Sequence, residues 1–211
     1  MTATAWILLA ATLVCALGDW WATWAERKDI RYATKPATLA LLIGVAVTLD
    51  PVDPTIRTWM VIGLVLSLAG DIFLMLDEKW FVAGLGSFLL GHIAYIVGLQ
   101  LAPRSLGWTL VGLAVVLVSI AVVGRKVVAG VGASGQREMV GPVIAYLVVI
   151  SAMVVSAFGT AGIWAIAGAS LFYASDATLA WNRFIEQRRF GPLAVMVTYH
   201  LGQIGLVAWL V

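Results

Sequence analysis

The stretch "GLVLSLAGDIFLML", residues 63–76, is apolar or small at every position except Asp71. Such a run suits the hydrocarbon interior of a membrane far better than the surface of a soluble protein. A near repeat, "GASLFYASDATLAW", occupies residues 168–181 and carries Asp176. Two apolar runs with one carboxylate each indicate a membrane bundle, and they also mark the place where its chemistry would occur.

The whole chain has the composition of an integral membrane protein. Of its 211 residues 62% are hydrophobic and 11% charged, and the mean hydropathy is +1.01. Such a chain could not cover itself with polar surface as a soluble domain does. At about 1.5 Å rise per residue, eight runs are long enough to cross a hydrocarbon layer of about 30 Å. They are residues 3–24, 34–49, 59–76, 80–101, 106–123, 140–158, 161–181 and 191–210.

We therefore predict an all-α polytopic bundle of eight transmembrane helices that forms one domain over residues 1–211. Lys35-Pro36 is expected to open the second helix, because proline suits the first helical turn. The segment "GRKVVAGVGASGQRE", residues 124–138, is expected to be the longest loop. The first run lacks the basic start of a cleaved signal peptide, so we read it as a retained span.

The basic residues predict the orientation. The connections after runs 1, 3, 5 and 7 hold 11 of the 13 Lys and Arg residues, and only Arg57 and Arg104 lie in the others. By the positive-inside rule both termini are extracytoplasmic, as in a multi-pass protein of a bacterial inner membrane. The basic residues are scattered among short connections, which argues against nucleic-acid binding. The single Cys15 excludes an internal disulfide.

Asp71 and Asp176 lie at matched depth in runs that cross in the same direction. Each is about six residues, or roughly 9 Å, from the predicted cytoplasmic boundary. Placing an Asp inside the membrane costs roughly 2.5–3.5 kcal/mol on the more lenient insertion scales, so such residues face the bundle interior or water. We expect the two to share one cavity. The alternative is a structural role, with Ser67 and Ser175 as hydrogen-bond partners.

Few other polar groups lie inside the predicted spans. His92 and Tyr95 share a face at i and i+3, and Tyr199 and Gln203 share one at i and i+4. Tyr146 follows a proline. Each has a structural alternative, in which the histidine bridges helices and the tyrosines pack with a bonded hydroxyl.

Three further features favour structural interpretations. Lys35 could simply extend to the interface, and Asp19 lies close to the Trp-rich boundary of the first run. Gly84, Gly91 and Gly98 recur at every seventh residue, which predicts close helix packing. Hydrolase and nucleotide-binding motifs are absent, and two histidines cannot form a three-His zinc site. A site of histidine and carboxylate ligands stays possible, but no metal or cofactor is expected.

Three segments carry a resemblance to a known family. "GDIFLML" with "FVAGLGSFLLGHIAYIVGL" (70–76 and 81–99), "YASDATLAWNRF" (173–184) and "YHLGQIGLVAWL" (199–210) resemble the YhhN family of eight-span membrane proteins. Its characterised members are lysoplasmalogenases. The likeness extends from Lys35-Pro36 to the last helix.

The resemblance implies hydrolysis of the vinyl ether of a lysoplasmalogen, a lysophospholipid, to a fatty aldehyde and glycerophosphoethanolamine or glycerophosphocholine. A vinyl ether must first be protonated on its β-carbon. A carboxyl group shielded from water keeps its proton near neutral pH and can supply it. A second carboxylate can orient water and stabilise the oxocarbenium ion, as in glycosidases. We expect Asp71 and Asp176 to form this acid/base pair and to titrate as a unit, with the individual roles open.

The remaining polar residues would bind or orient the substrate. The groups expected around the ether, the water and the carboxylates are His92, Tyr95, Tyr146, Ser175, Tyr199 and Gln203. Lys35 and Arg183 would meet the substrate phosphate at the cytoplasmic mouth, with membrane lipids as the other partners and the oligomeric state open. The alternatives are a small-solute or proton-coupled transporter that uses the buried Asp and His residues, and a non-catalytic lipid-binding or scaffold protein.

Overall fold

The computed structural model describes all 211 residues as a bundle of helices without strands. The α-helices are α1 (Ala3–Trp24), α2 (Lys28–Thr48), α3 (Pro54–Met75), α4 (Phe81–Leu101), α5 (Leu106–Ser119), α6 (Arg125–Ala133), α7 (Val140–Gly159), α8 (Ile163–Phe184) and α9 (Gly191–Ala208). A π-helical segment, Ile120–Gly124, joins α5 to α6 in one continuous span. Eight spans are therefore long and apolar enough to cross a membrane, which confirms the predicted fold class.

The predicted start of the second helix is wrong. The second helix begins at Lys28, so Lys35 and Pro36 lie two turns inside it. The charged segment 28–33 forms additional helical turns before the apolar segment. A transmembrane helix can extend beyond the hydrocarbon, so the apolar segment does not mark where the helix begins. Pro36 has no N–H for the carbonyl four residues earlier, and the helix passes through it nonetheless.

The segment predicted as the longest loop is mostly helical. Residues 125–133 form α6, and Val127 and Val131 on its inner face are buried. Their i, i+4 spacing gives a short amphipathic helix a face to pack on the bundle. The glycines of this segment, which suggested a loop, are tolerated because this packing outweighs their low helix propensity.

Glycines bring two pairs of helices into backbone contact. A Cβ atom added at Gly91 of α4 would lie 3.1 Å from the carbonyl oxygen of Gly63 in α3. A Cβ atom added at Gly168 of α8 would lie 2.6 Å from the backbone nitrogen of Leu206 in α9. The glycine stripe of α4 is thus a packing surface, as predicted, and α8–α9 forms a second tight pair.

The alternating direction of the eight spans gathers the basic residues at one end of the bundle. We call this the basic end; it contains the connections α1–α2, α3–α4, α6–α7 and α8–α9. Both α3 and α8 run toward it. Asp71 lies one turn before the end of α3, and Asp176 lies two turns before the end of α8. The fold therefore places both carboxylates in the same half of the bundle.

Candidate functional site

A cavity of about 530 Å³ lies in the basic half of the bundle. Helices α2, α3, α4, α7, α8 and α9 and the α5–α6 span contribute its walls, and 18 of its 28 lining residues are hydrophobic. Arg31, Asn182 and Arg183 line it toward the basic end. Its size is that of a small-molecule site, and its mostly apolar wall suits a lipid chain.

Asp71 lies in this wall with both carboxylate oxygens occupied. Its Oδ1 is 3.0 Å from Nζ of Lys35 on α2, and its Oδ2 accepts a 2.8 Å hydrogen bond from the Tyr199 hydroxyl on α9. The side chains of Lys35 and Asp71 are 7% and 1% exposed, so this ion pair is fully inside the protein. The Asp71 carboxyl group is therefore held by an ammonium on one oxygen and a hydroxyl on the other.

Asp176 lies in the same cavity in a different environment. Its Oδ2 accepts a 2.5 Å hydrogen bond from the Tyr146 hydroxyl on α7 and is 3.3 Å from Nε2 of His92 on α4. His92 Nε2 is also 2.9 Å from the Tyr146 hydroxyl, so the three groups form one cluster. No cation other than a protonated histidine could pair with Asp176 here, and its Oδ1 accepts no hydrogen bond from the protein.

The two carboxyl groups have separate partners, and no hydrogen bond joins them. Phe172 of α8, which is fully buried, lies between the two clusters. Its ring packs edge-on against His92 at a centroid distance of 4.7 Å and against Tyr199 at 5.2 Å. The two clusters therefore meet through an apolar ring, and the coupled titration expected of the two carboxyl groups stays a prediction.

A second polar layer lies behind the cavity wall. The Tyr95 hydroxyl donates a 2.7 Å hydrogen bond to Oε1 of Gln203, and both residues are fully buried. Neither they nor His92 line the cavity. These three residues can therefore support the wall of the site, and His92 can do so through Tyr146 and Asp176.

The two serines considered as partners of the carboxylates do not contact them. Ser175 donates its hydroxyl hydrogen bond to the backbone carbonyl of Val195 on α9 at 3.0 Å, although the residue borders the cavity. Ser67 is buried, and its hydroxyl has no hydrogen-bond partner. Residues from other helices, rather than neighbours on the same helix, satisfy Asp71 and Asp176.

Three cations line the cavity, and they are held differently. Lys35 does not extend to the interface, because its Nζ is paired with Asp71. Arg183 forms an ion pair with Glu78 of the α3–α4 connection and stacks on the Phe81 ring at 3.7 Å. Sequence reasoning missed the third, Arg31, which was assigned to a loop. Its position four residues before Lys35 would have indicated a shared helical face if α2 had been extended to Lys28.

Asp19, which we interpreted as structural, is fully buried on α1. It accepts a 3.1 Å hydrogen bond from the Thr34 hydroxyl, and its Oδ1 is 4.0 Å from Nε of Arg31. It does not line the cavity. The contact with Arg31 connects it to the cavity mouth.

Of the ten predicted site residues, seven line the one cavity: Lys35, Asp71, Tyr146, Ser175, Asp176, Arg183 and Tyr199. The model of the YhhN family matches residues 30–210, nearly the whole chain. The chain belongs to the YhhN family. This membership confirms the resemblance on which the expected activity depends.

The names of similar proteins support the same family assignment. A Mycobacterium bovis protein named lysoplasmalogenase is 33% identical over 177 residues, which cover 82% of this chain and 67% of the relative. A Mycobacterium tuberculosis protein of the same name gives the same figures. Lysoplasmalogenase TMEM86B of Mus musculus is 31% identical over 153 residues, covering 71% of this chain and 62% of the mouse protein. No solved structure matches the chain.

Proposed function

We propose that this YhhN-family chain hydrolyses the vinyl ether bond of lysoplasmalogens within the membrane. The products are a fatty aldehyde and glycerophosphoethanolamine or glycerophosphocholine. The names of the relatives support the reaction. The observation that carries the proposal is that two carboxyl groups in contrasting environments, Asp71 and Asp176, line one largely apolar cavity.

Asp176 is the proton donor in this proposal. It has no ammonium or guanidinium partner, and its Oδ1 is unoccupied by protein donors, so a proton can reside there and face the substrate. Transfer of that proton to the β-carbon forms a C–H bond with the π electrons of the double bond. The positive charge then rests on the α-carbon and the ether oxygen as an oxocarbenium ion.

Asp71 is the ionised partner. The Lys35 ammonium and the Tyr199 hydroxyl hold its charge in place before the substrate arrives, and a fixed negative charge stabilises the cation that forms. Water then adds to the α-carbon and gives up a proton to the Asp176 carboxylate, which restores the acid. The resulting hemiacetal collapses to the aldehyde and the free glycerol hydroxyl, so atoms and charges balance.

The apolar part of the cavity accommodates the hydrocarbon chain. Leu85, Val127, Leu147 and Ile150 belong to this part of the wall and come from three different spans. A lipid chain that moves from the bilayer to this wall exchanges one apolar environment for another. The wall therefore accommodates the chain, and the polar groups fix which bond meets the acid.

The protein is a multi-pass membrane protein, and we place it in a bacterial inner membrane with its basic end in the cytoplasm. The support is the 11-to-2 division of Lys and Arg between the two ends. With this orientation the cavity mouth lies at the inner leaflet, and the water-soluble head-group product leaves to the cytoplasm.

The decisive experiment measures aldehyde release by detergent-purified protein. A lysoplasmenylethanolamine should yield aldehyde, and its saturated alkyl-ether analogue should not. Asp176→Asn and Asp71→Asn should abolish release, whereas Asp77→Asn, a change at a carboxylate that is 84% exposed and outside the cavity, should retain it. Full activity in either cavity variant would refute the assignment. Absence of aldehyde from the wild type, with proton-coupled solute uptake in liposomes, would favour the transporter.

A further inference from the structure

Arg31 presents its guanidinium to the cavity mouth. None of its five N–H donors makes a hydrogen bond within the protein, and its Nε is shielded from solvent without a partner. The side chain is 32% exposed, and of its three nitrogens only Nε is buried without a partner, so both Nη groups stay open to the cavity mouth. A guanidinium in a cavity wall whose donors make no hydrogen bond in the protein can bind an anion that enters the cavity.

The other two cavity cations are already engaged. Lys35 pairs with Asp71 at 3.0 Å, and Arg183 pairs with Glu78 and stacks on Phe81. Asp19 approaches Arg31, but at 4.0 Å from Nε its Oδ1 makes no hydrogen bond. Asp19 therefore holds the guanidinium near α1 by charge and leaves the Nη groups free.

The position of Arg31 relative to the carboxylate cluster fits one part of a lysophospholipid. Arg31 and Lys35 are four residues apart on α2, which places them on one face with a rise of about 6 Å between them. In an extended glycerophosphate, bonds of ordinary length put the phosphorus about 6 Å from the ether oxygen. A phosphate at Arg31 therefore leaves the ether beside the Lys35–Asp71 pair.

We propose that Arg31 binds the phosphodiester of the lysolipid head group and so fixes the vinyl ether at the depth of the two carboxyl groups. This inference rests on the proposed function and makes Arg31 a specificity-determining residue. The planar guanidinium suits a phosphate because it can donate two parallel hydrogen bonds, which a lysine cannot do. The anion is a lipid phosphodiester rather than free phosphate, because the mostly apolar cavity also takes the chain.

The test compares Arg31→Gln with the wild type on two substrates that share the vinyl ether. One is lysoplasmenylethanolamine, and the other is 1-alkenylglycerol, which lacks the phosphate. Losing a charged hydrogen-bond donor should raise KM for the phospholipid by about 10- to 100-fold, and Arg31→Lys should give an intermediate value. KM for alkenylglycerol should stay within about 2-fold of the wild type, since it offers no phosphate to bind. The matched control is Arg27→Gln, four residues earlier at the N-cap of α2, where the side chain is 53% exposed and pairs with Asp29.

A second readout does not depend on turnover. The saturated alkyl-ether lysophosphoethanolamine should inhibit the wild type competitively and Arg31→Gln at least 10-fold more weakly, by the same lost contact. Equal KM values for the phospholipid in Arg31→Gln and the wild type would overturn the proposal. An equal rise in KM for both substrates would also overturn it. Inhibition by inorganic phosphate as strong as that by the alkyl-ether lysophosphoethanolamine would do the same. Failure of the proposed function looks different, because the wild type would then release aldehyde from neither substrate.

Discussion

The buried ion pair between Lys35 and Asp71 gives the sharpest prediction about stability. Lys35→Met keeps the length of the side chain but removes the ammonium that lies 3.0 Å from a carboxylate with 1% exposure. Removing one partner of a buried pair typically costs about 3–5 kcal/mol, because the remaining charge has lost its compensation. We expect Lys35→Met to lower the free energy of unfolding by that amount. Asp71→Asn should do the same by stranding the ammonium.

The double variant distinguishes the coupling energy of the ion pair from the effects of the two single substitutions. In Lys35→Met/Asp71→Asn no unpaired charge remains, and the asparagine oxygen can still accept the hydrogen bond from Tyr199. Apolar or neutral replacement of a whole buried pair is often neutral for stability. The double variant should therefore regain most of the stability, with a coupling energy of about 3 kcal/mol or more. It should stay inactive, since the fixed negative charge of Asp71 is missing.

The assay is reversible unfolding in mixed micelles, measured for the wild type, both single variants and the double variant. The exposed pair of Arg27 and Asp29 supplies the control cycle, since its side chains are 53% and 63% exposed and solvent screens the attraction between them. Single variants within 1 kcal/mol of the wild type would refute the reasoning, as would a double variant whose losses simply add.

Two further predictions follow from contacts on α7 and α8. Tyr146→Phe removes the donor 2.5 Å from Asp176 and should lower kcat about 10-fold or more in the aldehyde assay, because hydrogen bonds to charged or reacting groups contribute about 1.5–3 kcal/mol; an unchanged kcat would contradict this role. Gly168→Ala places a Cβ atom 2.6 Å from the Leu206 backbone nitrogen and should lower the free energy of unfolding by about 1–3 kcal/mol. Gly132→Ala, with nothing within 4 Å, should leave it unchanged or raise it by up to about 1 kcal/mol. Equal effects of the two alanine changes would contradict the packing argument.

The eight spans and the two carboxylates could be predicted from the sequence because each depends on a large, local cost. Unpaired backbone groups and a lone Asp are both expensive in hydrocarbon, so apolar length identifies the helices and Asp71 and Asp176 stand out within them. No knowledge of which helices touch is required for either step. The glycine stripe of α4 is equally local, since small residues on one face have few uses other than close packing.

The partners of the carboxylates could not be predicted in this way. Lys35 on α2 contacts Asp71 on α3, and Tyr146 on α7 contacts Asp176 on α8. Both contacts depend on the register and rotation of one helix relative to another. Neighbours in sequence, Ser67 and Ser175, were the available candidates, and neither contacts a carboxylate. The boundary error in α2 had a similar origin, because hydropathy reports the hydrocarbon thickness rather than the end of the helix.

In the proposed mechanism one cavity holds an acid and an ionised carboxylate, and their separate partners support this division of roles. Two carboxyl groups in direct contact would share a proton, and neither could be assigned as the acid or as the ionised partner. Here an ammonium from α2 lies 3.0 Å from the Asp71 carboxyl group, whereas Asp176 has only a hydroxyl and a histidine beside it. Phe172 keeps the two clusters apart. In the proposed mechanism the negative charge that an oxocarbenium ion requires is present before the reaction begins, and its stabilisation needs no rearrangement during proton transfer. On this argument Lys35 acts on the reaction through Asp71, although its own ammonium need not touch the substrate.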